Sequence, residues 1–564
     1  MFGFYTMIQI SVFFAIVIPV LSAGVSQNAS VTWDSGAGIF TVHRFKADKY
    51  VAYATFTDEI FLTGWSYLEV STNEKYPDSV QAYAAGLVEG VLTADLIKKN
   101  WNNQGKMYCK GETSYCQRLK NFLQINLDFI NFNIAKSRKY VPYWHQVALV
   151  LEQLSGLEDG YKNISGSPRT QIDVMDLMLL NIFGDLEDLE AILNRTVTRH
   201  PLGSGSCSAL IKVLPNNKDL YVAQDTWSSY NTMLRTLKKY NISVHTGMQR
   251  GSPVVPGRAV AFSSQPGLIF SGDDFYLISS GLAAVETTVG NNNVSLWKYI
   301  KAKGAVLEWI RNIVSNRLAK DGEEWTKVFE LYNSGTYNNQ WMVVNYKKFI
   351  TGEPLQDGLL WVLEQIPGYI HSEDVTNILR KQNYWPSYNV PYFQDIFNLS
   401  GGQINVEKYG DWFTYDKTPR ALIFKRDEVN VHDIPSMIKL MRYNDYTNDP
   451  LSRCNCTPPY SAENAISARC DLNPANGTYP IAALGHRPHG ATDMKLTTSS
   501  LYQKLQFVAF GGPTYDPLPP FQWSKTDFGK TMPHEGHPDL WKFEPIVHKW
   551  QDFRNIYCFC SKSQ

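Results

Sequence analysis

The feature that most constrains this chain is an abrupt change of pattern at residues 199–207, RHPLGSGSC. Before this segment, apolar residues recur at three- and four-residue spacing, which predicts helices over 78–100, 117–137, 143–156 and 171–194. The segment itself is rich in Pro, Gly and Ser, which interrupt regular structure. Directly after it, SALIKVL and LYVAQDTW predict two strands joined by a turn at 215–218. A loop of small residues therefore enters a β-strand at Cys207.

The rest of the chain mixes the two patterns. Further strands are predicted at 38–57, 258–262, 267–271, 274–280, 282–288, 340–346 and 359–366, and further helices at 228–240, 295–318 and 323–332. The chain after about residue 450 is rich in Pro, Gly and Asn and is expected to be mostly loop. Helices before and after a body of strands predict stacked layers in one unit, with sheets enclosed by helices.

The N-terminus indicates export. An apolar run from Ile8 to Leu21 is followed by small residues, which predicts a signal peptide over residues 1–23. An uncleaved anchor is the alternative, but the run is short for a membrane span and has no basic flank. No later stretch is apolar enough to predict a transmembrane span. Seven N-x-S/T sequons predict a glycosylated protein that is secreted or lysosomal, at Asn28, Asn163, Asn194, Asn241, Asn293, Asn398 and Asn476.

Net charge and cysteine content further limit the classes of protein to which the chain could belong. Fifty-three basic and 53 acidic residues give a formal net charge of zero, so nothing in the charge balance indicates a nucleic-acid partner. Among eight cysteines, Cys109 and Cys116 flank a short polar loop and are predicted to form a disulfide. The pairing within the late group stays open: Cys454, Cys456, Cys470, Cys558 and Cys560. An eighth sequon, at Asn455, is uncertain because Cys456 is its middle residue. The number of cysteines therefore permits a free Cys207 without requiring one.

The loop before Cys207 suits self-cleavage. The thiolate of Cys207 can attack the Ser206 carbonyl and shift the acyl group from nitrogen to sulfur, after which water hydrolyses the thioester. The new chain then begins at Cys207, whose α-amine, with a pKa near ~7.7–8.0, can act as base for its own thiol. The alternative, and the commoner case for such a local sequence, is a buried structural cysteine after a surface loop.

Eight segments give the chain a recognisable signature: SCSALIK at 206–212, FSGDDFY at 270–276, ETT at 286–288, NSGTYNNQW at 333–341, SYN at 387–389, PYF at 391–393, YGDWF at 409–413 and AENAISAR at 462–469. Together they resemble the phospholipase B-like family, from near the first strands almost to the C-terminus. The resemblance implies an α+β N-terminal-nucleophile hydrolase, with two stacked antiparallel sheets between helical layers. It also implies cleavage into an N-terminal chain, 24–206, and a C-terminal chain, 207–564, that stay together as one unit.

Motif by motif, the resemblance implies a pocket around Cys207. Trp227 would wall the pocket, and Thr288 would hydrogen-bond the α-amine or the scissile group. Asn389 would stabilise the oxyanion through its amide N–H, and Arg420 would favour the thiolate and orient the amine. Each residue also has a purely structural interpretation. Trp227 could be a core residue and Thr288 a hydroxyl on a strand face. Asn389 could be a turn residue and Arg420 a surface charge.

One position departs from the family pattern. Seventeen residues after the nucleophile the family often has His, and this chain has Gln224 followed by Asp225. Gln cannot titrate, so a proton-shuttle role there is in doubt. Either Gln224 orients its neighbours by hydrogen bonding or Asp225 supplies the polar partner of the α-amine.

The resemblance implies an acyl hydrolase that removes fatty acyl chains from phospholipids, without a metal or cofactor. Two alternatives remain open at this point. One is an amidase acting on N-acyl or peptide-like substrates, because cysteine N-terminal nucleophiles suit linear amides equally well. The other is a self-processed glycoprotein that serves as a non-enzymatic binding partner. The expected partners are a lipid or N-acyl small molecule and the chain's own cleaved N-terminal part; the oligomeric state is not predicted.

Overall fold

The structure is a computed structural model that describes residues 24–164, 166–196, 202 and 205–551. The predicted signal peptide, residues 1–23, lies outside the described residues, and so do Cys558 and Cys560. Gly205, Ser206 and Cys207 are described, so both sides of the predicted cleavage point are included.

Strands occur both before and after the breaker-rich segment. Within the described ranges they are β1 Gln27–Asp34, β2 Ile39–His43, β3 Ala52–Glu59, β4 Trp65–Thr72, β5 Cys207–Val213, β6 Leu220–Ser229, β7 Thr236–Asn241, β8 Ala259–Ser264, β9 Phe275–Ile278, β10 Leu282–Thr288, β11 Asn339–Asn345, β12 Leu360–Ile366, β13 Tyr369–Asp374, β14 Tyr384–Ser387, β15 His489–Ala491, β16 Asp493–Thr497, β17 Val508–Gly511, β18 Phe521–Gln522, β19 Leu540–Trp541 and β20 Ile546–Val547.

The longest helices lie before the breaker-rich segment. In the same described ranges the helices are α1 Ile60–Thr63, α2 Asp78–Gln104, α3 Thr113–Ser137, α4 Pro142–Lys162, α5 Leu177–Asn181, α6 Leu186–Ile192, α7 Glu308–Leu318, α8 Gly322–Glu330, α9 Thr376–Gln382, α10 Gln394–Leu399, α11 Gly402–Tyr409, α12 Pro419–Asp427, α13 Ile434–Met441 and α14 Ser499–Tyr502.

The strands form two large sheets and one two-stranded ribbon, β18-β19. The larger sheet has the order β13-β12-β11-β10-β9-β8-β7-β4-β3-β1-β2, and the smaller has β14-β5-β6-β16-β17-β20 with β15 also beside β6. Neighbouring strands are antiparallel apart from β4 and β7, which pair in parallel from Ser66–Thr236 to Ser71–Asn241. The expectation of purely antiparallel sheets is corrected at this pair. The intervening chain, with α2, α3 and α4, is long enough for the crossover that a parallel pair needs.

The two sheets stack face to face over an apolar interior. Ala209 and Ile211 on β5 pack in one buried cluster with Leu237 on β7 and Leu277 on β9. Since alternate residues of a strand point to opposite faces, Cys207 shares the inward face with Ala209 and Ile211. The fold is therefore α+β with stacked sheets, and Cys207 begins a strand that faces the space between them.

Helices cover the outer faces of both sheets. On the larger sheet, Leu68 and Val70 of β4 share a buried cluster with Leu87 of α2. On the smaller sheet, Leu210 of β5 packs with Phe424 of α12 and Met437 of α13. The central strands of each sheet therefore bury both faces, and every residue of β4 and β5 is buried.

Helices α2 and α4 cross unusually closely because glycines face each other. A Cβ placed on Gly86 would lie 1.9 Å from the Gln153 carbonyl oxygen, and one on Gly156 would lie 2.0 Å from that of Tyr83. Helix α2 is long and apolar enough to cross a membrane by length and composition, but 83% of its most apolar window is buried inside the protein. Burial against α4 and the sheet explains this composition as that of a core helix.

The predicted helix at 228–240 is wrong. This segment holds the end of β6, a 3-10 turn at Tyr230–Thr232 and strand β7. β7 lies between β4 and β8 and is hydrogen-bonded on both edges. Lys238 lies on this strand and forms a buried ion pair with Glu89, at 2.7 Å. Tertiary contacts bury Lys238 and its neighbour Lys239 inside the sheet. The polar composition of this segment therefore did not indicate a buried strand.

Three other predicted elements are shorter than expected or absent. Residues 267–271 form a buried turn rather than a strand, because Gly267 and Gly272 flank it with positive φ of 89° and 67°. Of the predicted helix 171–194, only α5 and α6 form. Of the predicted helix 295–318, only α7 and a 3-10 turn form; Gly304, with φ 92°, lies between them.

The segments on either side of the predicted cleavage point share one sheet. Strands β1–β4 come from residues 24–206, whereas β7–β13 come from residues 207–564, and β4 pairs directly with β7. A cut before Cys207 would leave this pairing and its buried core intact.

The sequons differ in accessibility. Asn28, Asn163, Asn194, Asn398 and Asn476 are exposed. Asn241 and Asn293 are half-buried, and the Asn293 side chain donates to the Leu399 carbonyl at 2.9 Å. Glycan attachment at the first five positions needs no change in the surrounding structure.

Two disulfides lie within the described residues. Cys109 is bonded to Cys116, as predicted, and Cys454 is bonded to Cys456. Cys207 and Cys470 are free and buried. The second bridge places Asn455 between two bonded cysteines, which was the reason for leaving this sequon out of the predicted glycan sites.

Replacing both Cys109 and Cys116 with Ala should lower the free energy of unfolding by about 2–3 kcal/mol, since the bridge closes a short loop in the unfolded chain. Denaturant titration of the variant against the parent measures this. A difference within error of zero would show that the bridge does not restrict the unfolded state.

Candidate functional site

Cys207 is the first residue of β5, and its partner across the ladder is Thr226 of β6. Its exposed fraction is 3%, and burial raises the pKa of its thiol well above the usual value. The nearby Glu286 raises the pKa further, whereas Lys495 and the Trp227 main chain lower it. In the uncut chain the thiol is therefore neutral and needs a base before it can attack.

The peptide group between Ser206 and Cys207 is held on both sides. The Trp227 main-chain N–H donates to the Ser206 carbonyl oxygen at 2.6 Å. The Asn389 side-chain oxygen accepts from the N–H groups of Ser206, at 3.1 Å, and Cys207, at 3.4 Å. A donor thus lies where negative charge would develop on the carbonyl, and an acceptor lies at the nitrogen that would leave.

The sequence-based interpretation directs the Asn389 amide N–H at the reacting carbonyl, whereas in the uncut chain this N–H faces another group. Its amide N–H donates to the Thr288 carbonyl at 2.7 Å, while its oxygen faces the scissile peptide. In the uncut chain, the group that donates to the Ser206 carbonyl oxygen is the main-chain N–H of Trp227. Asn389 instead positions the Cys207 nitrogen, from a left-handed backbone conformation (φ 67°) that Asn tolerates well.

Thr288 takes part through its main chain. It ends β10, and its carbonyl oxygen is the anchor of the Asn389 amide. The contact does not use the hydroxyl that the sequence interpretation assigned to the α-amine. In the uncut chain Thr288 therefore contacts the site through Asn389, and its predicted hydrogen bond to the α-amine stays a prediction.

Arg420 lies in the first turn of α12, directly after Pro419. Its guanidinium donates to the Cys207 carbonyl at 2.5 Å and to the Ser208 hydroxyl at 3.3 Å, and stacks over the Trp227 ring at 4.4 Å. Burial lowers the pKa of Arg420 to about 10, so it stays charged near neutral pH. This brings a fixed positive charge next to the residue that would carry the α-amine.

Trp227 is almost completely buried, at 2% exposure, and closes one side of the site. Gly205 packs against it so closely that a Cβ there would lie 2.6 Å from the indole ring. The predicted wall role of Trp227 is consistent with this position, and the ring also orders Arg420.

Gln224 and Asp225 point to opposite faces of β6. Gln224 faces inward and donates to the carbonyls of Asp273, at 2.7 Å, and Glu286, at 2.8 Å, which ties the two sheets together. Asp225 pairs with Ser208 across the ladder, so it lies on the face opposite Cys207. This placement argues against Asp225 as the polar partner of the α-amine and favours an orienting role for Gln224.

Sequence reasoning missed a buried charged group beside the nucleophile. Lys495 of β16 donates to the hydroxyl of Thr226 at 2.6 Å and to Asp493 at 2.5 Å. Burial lowers the pKa of Lys495, while Asp493 opposes this shift. A lysine almost 290 positions after Cys207 carries no local signal that would assign it to the site.

Glu463 is a second site residue that the sequence did not indicate. It accepts from the Gly205 N–H at 3.0 Å and is 2% exposed. Glu463 lies within the AENAISAR segment. That segment contributed to the family resemblance, so the signal was present without a role attached to it.

One group of side chains has the composition of a metal site. Donor atoms of Glu463, Cys470 and His489 lie within 4.8 Å of one another. However, Arg487 donates to Glu463 at 3.0 Å and lies 3.7 Å from the Cys470 sulfur. Because a guanidinium already balances the carboxylate, the arrangement suits an ion pair better than a bound cation.

A family model described as Phospholipase B matches residues 52–548, and the chain belongs to the phospholipase B family. It is 51% identical over 533 residues to "Putative phospholipase B-like 2" of Mus musculus, covering 93% of this chain and 89% of that protein. It is 38% identical over 539 residues to "Phospholipase B-like protein B" of Dictyostelium discoideum, covering 93% and 89%.

Two solved structures show a weaker likeness. Penicillin V acylase from Agrobacterium tumefaciens matches with a TM-score of 0.30 and 11% identity, covering 54% of this chain and 82% of that one. A conjugated bile acid hydrolase from Clostridium perfringens matches with a TM-score of 0.27 and 10% identity, covering 61% and 97%. At these scores the likeness carries no argument about this chain.

Proposed function

We propose that this chain is a self-cleaving acyl hydrolase that cuts its Ser206–Cys207 bond and then uses Cys207 as an N-terminal nucleophile. Membership of the phospholipase B family supports a hydrolase. The observation that carries the proposal is the Ser206–Cys207 peptide group, held between the Trp227 N–H and the Asn389 oxygen beside a free thiol. The stacked sheets with outer helices fit the layered N-terminal-nucleophile arrangement.

Self-cleavage proceeds in two steps. The Cys207 sulfur attacks the Ser206 carbonyl carbon, and the Trp227 N–H stabilises the oxyanion. The carbon–nitrogen bond breaks, a thioester forms, and the thiol proton ends on the released Cys207 nitrogen. Water then hydrolyses the thioester to a Ser206 carboxylate and a free thiol, so the net change is the addition of one water.

The same groups would then serve turnover. The released α-amine of Cys207 accepts the thiol proton, the sulfur attacks the substrate's acyl carbon, and water hydrolyses the acyl-enzyme. Arg420 holds the Cys207 carbonyl and thereby fixes the new N-terminus.

The family name supports fatty acyl esters of phospholipids as substrates. A linear amide is the second candidate bond, because the bond that the site holds in this chain is itself an amide. The sequons and the apolar N-terminus further support a glycoprotein that is secreted or delivered to lysosomes.

Alkylation of the cleaved protein with iodoacetamide should abolish hydrolysis, with a rate loss of at least about 100-fold, because the nucleophile is blocked. Fatty acid release from phosphatidylcholine vesicles and p-nitroaniline release from N-acyl p-nitroanilides are the two assays. The matched variant is Cys470→Ser, which removes the other free thiol of the described residues. It should keep its activity and lose it on alkylation. Full activity after modification mapped to Cys207 would show that Cys207 is not the nucleophile, whereas no hydrolysis in either assay before alkylation would support a non-enzymatic binding protein.

A further inference from the structure

The uncut chain shows where a substrate's acyl group must lie. Nucleophilic attack and the Trp227 N–H together fix the position of the reacting carbonyl, which in this chain is that of Ser206. Any acyl group hydrolysed by Cys207 has to place its carbonyl there as well. The atoms attached to that carbonyl then follow the path taken by Ser206 and Gly205, so the contacts of Gly205 describe the acyl side of the pocket.

The first contact on this path is polar. The Gly205 N–H donates to one oxygen of Glu463 at 3.0 Å. The other oxygen of Glu463 accepts from Arg487, at 3.0 Å, and from the Cys470 thiol, at 2.7 Å. Glu463 is therefore fixed in position, and one oxygen is directed at the acyl side. An acyl group without a donor would leave this buried oxygen without the hydrogen bond that Gly205 gives it.

The second contact on this path is steric. A Cβ on Gly205 would lie 2.6 and 2.8 Å from two atoms of the Trp227 ring and 3.1 Å from the Arg420 guanidinium. Both side chains are buried and stacked on each other, so neither can move aside easily. The pocket at this point admits a CH2 group but no branch.

We propose that Glu463, Trp227 and Arg420 form an acyl-side binding site for an unbranched unit that carries an N–H donor. The chemical class is a peptide-like acyl group of the N-acylglycyl type, favoured over a plain alkyl chain. This inference rests on the proposed function, because it requires that Cys207 hydrolyse substrates bound along the path of its own precursor.

Three p-nitroanilides that differ at one position test the site on the cleaved wild-type protein: acetyl-Gly-Ser-p-nitroanilide, its acetylglycolyl analogue with oxygen in place of the glycine N–H, and acetyl-Ala-Ser-p-nitroanilide. We expect kcat/KM to fall about 10- to 100-fold for the glycolyl analogue, since a hydrogen bond to a charged acceptor is lost. We expect a fall of at least about 10-fold for the alanyl substrate, because its methyl group meets Trp227. The released tail ending at Ser206 competes equally with all three, so the ratios do not depend on it.

Glu463→Gln separates the polar contact from the steric one. In this variant the preference for glycyl over glycolyl should shrink to within about 3-fold, because the charge is lost, while the preference for glycyl over alanyl remains. Equal kcat/KM for the three substrates on wild-type protein would overturn the inference and leave the proposed hydrolase in place. Hydrolysis of phosphatidylcholine without hydrolysis of any of the three p-nitroanilides would also overturn the inference and leave the proposed hydrolase in place. No hydrolysis of any of these four compounds would overturn the proposed function, and the inference with it.

Discussion

Cys207→Ala is expected to remain one uncut chain, whereas the wild-type protein should yield two fragments, the second beginning at Cys207. The reason is that the proposed cut needs a nucleophile on this side chain, and Ala has none. The surrounding contacts to the Ser206–Cys207 peptide come from Trp227 and Asn389, which the substitution does not touch. Gel electrophoresis with N-terminal sequencing of both proteins measures the outcome.

Cys470→Ser is the matched control for this experiment. It also alters a buried free cysteine, but Ser can keep the hydrogen bond to Glu463, so it should be cut like the wild-type chain. In both cut proteins the fragments should co-purify, because β4 and β7 pair across the cut within one sheet. A Cys207→Ala protein that is still cleaved at this bond would identify an external protease as the agent.

Hydrophobic periodicity was sufficient to predict the long helices. α2, α3 and α4 appear within a few residues of their predicted positions, because each presents an apolar face that repeats with the helical period. The prediction failed where burial comes from tertiary contacts. The segment at β7 contains two lysines, and only the ion pair with Glu89 and the flanking strands explain its position inside a sheet.

The residues of the candidate site also differ in how well the sequence alone could indicate them. The residues next to the nucleophile, from Gly205 to Cys207, could be singled out because a small-residue loop precedes a strand. Asn389 and Arg420 approach from more than 180 positions away, and only the family resemblance indicated them. Their contacts could not be predicted, because the choice between an amide N–H and an amide oxygen depends on what faces each of them in the fold.

Arg420→Ala is expected to move the acid limb of the kcat/KM profile upward, on the order of one to two pH units. The base in turnover is the Cys207 α-amine, which must be neutral, and its ordinary pKa is about 7.7–8.0. Arg420 lies on the Cys207 carbonyl, and its pKa of about 10 keeps it charged through this range. At an effective dielectric constant of about 20, unit charges about 6–8 Å apart repel by roughly 2–3 kcal/mol, which corresponds to about 1.5–2 pKa units for the ammonium form. Removing this charge raises the pKa of the amine, so the neutral base appears only at higher pH.

Arg420→Lys distinguishes charge from geometry. Lys keeps the positive charge but loses the planar group that bonds the Cys207 carbonyl and stacks on Trp227. We therefore expect a lower plateau with an acid limb close to that of the wild-type protein, whereas Arg420→Ala should lose activity most severely at acidic pH. Profiles of kcat/KM against pH for the three cleaved proteins, on one p-nitroanilide substrate, measure both effects. An acid limb that stays in place in Arg420→Ala would mean that the charge at this position does not set the pKa of the amine, and that Arg420 serves only to hold the new N-terminus.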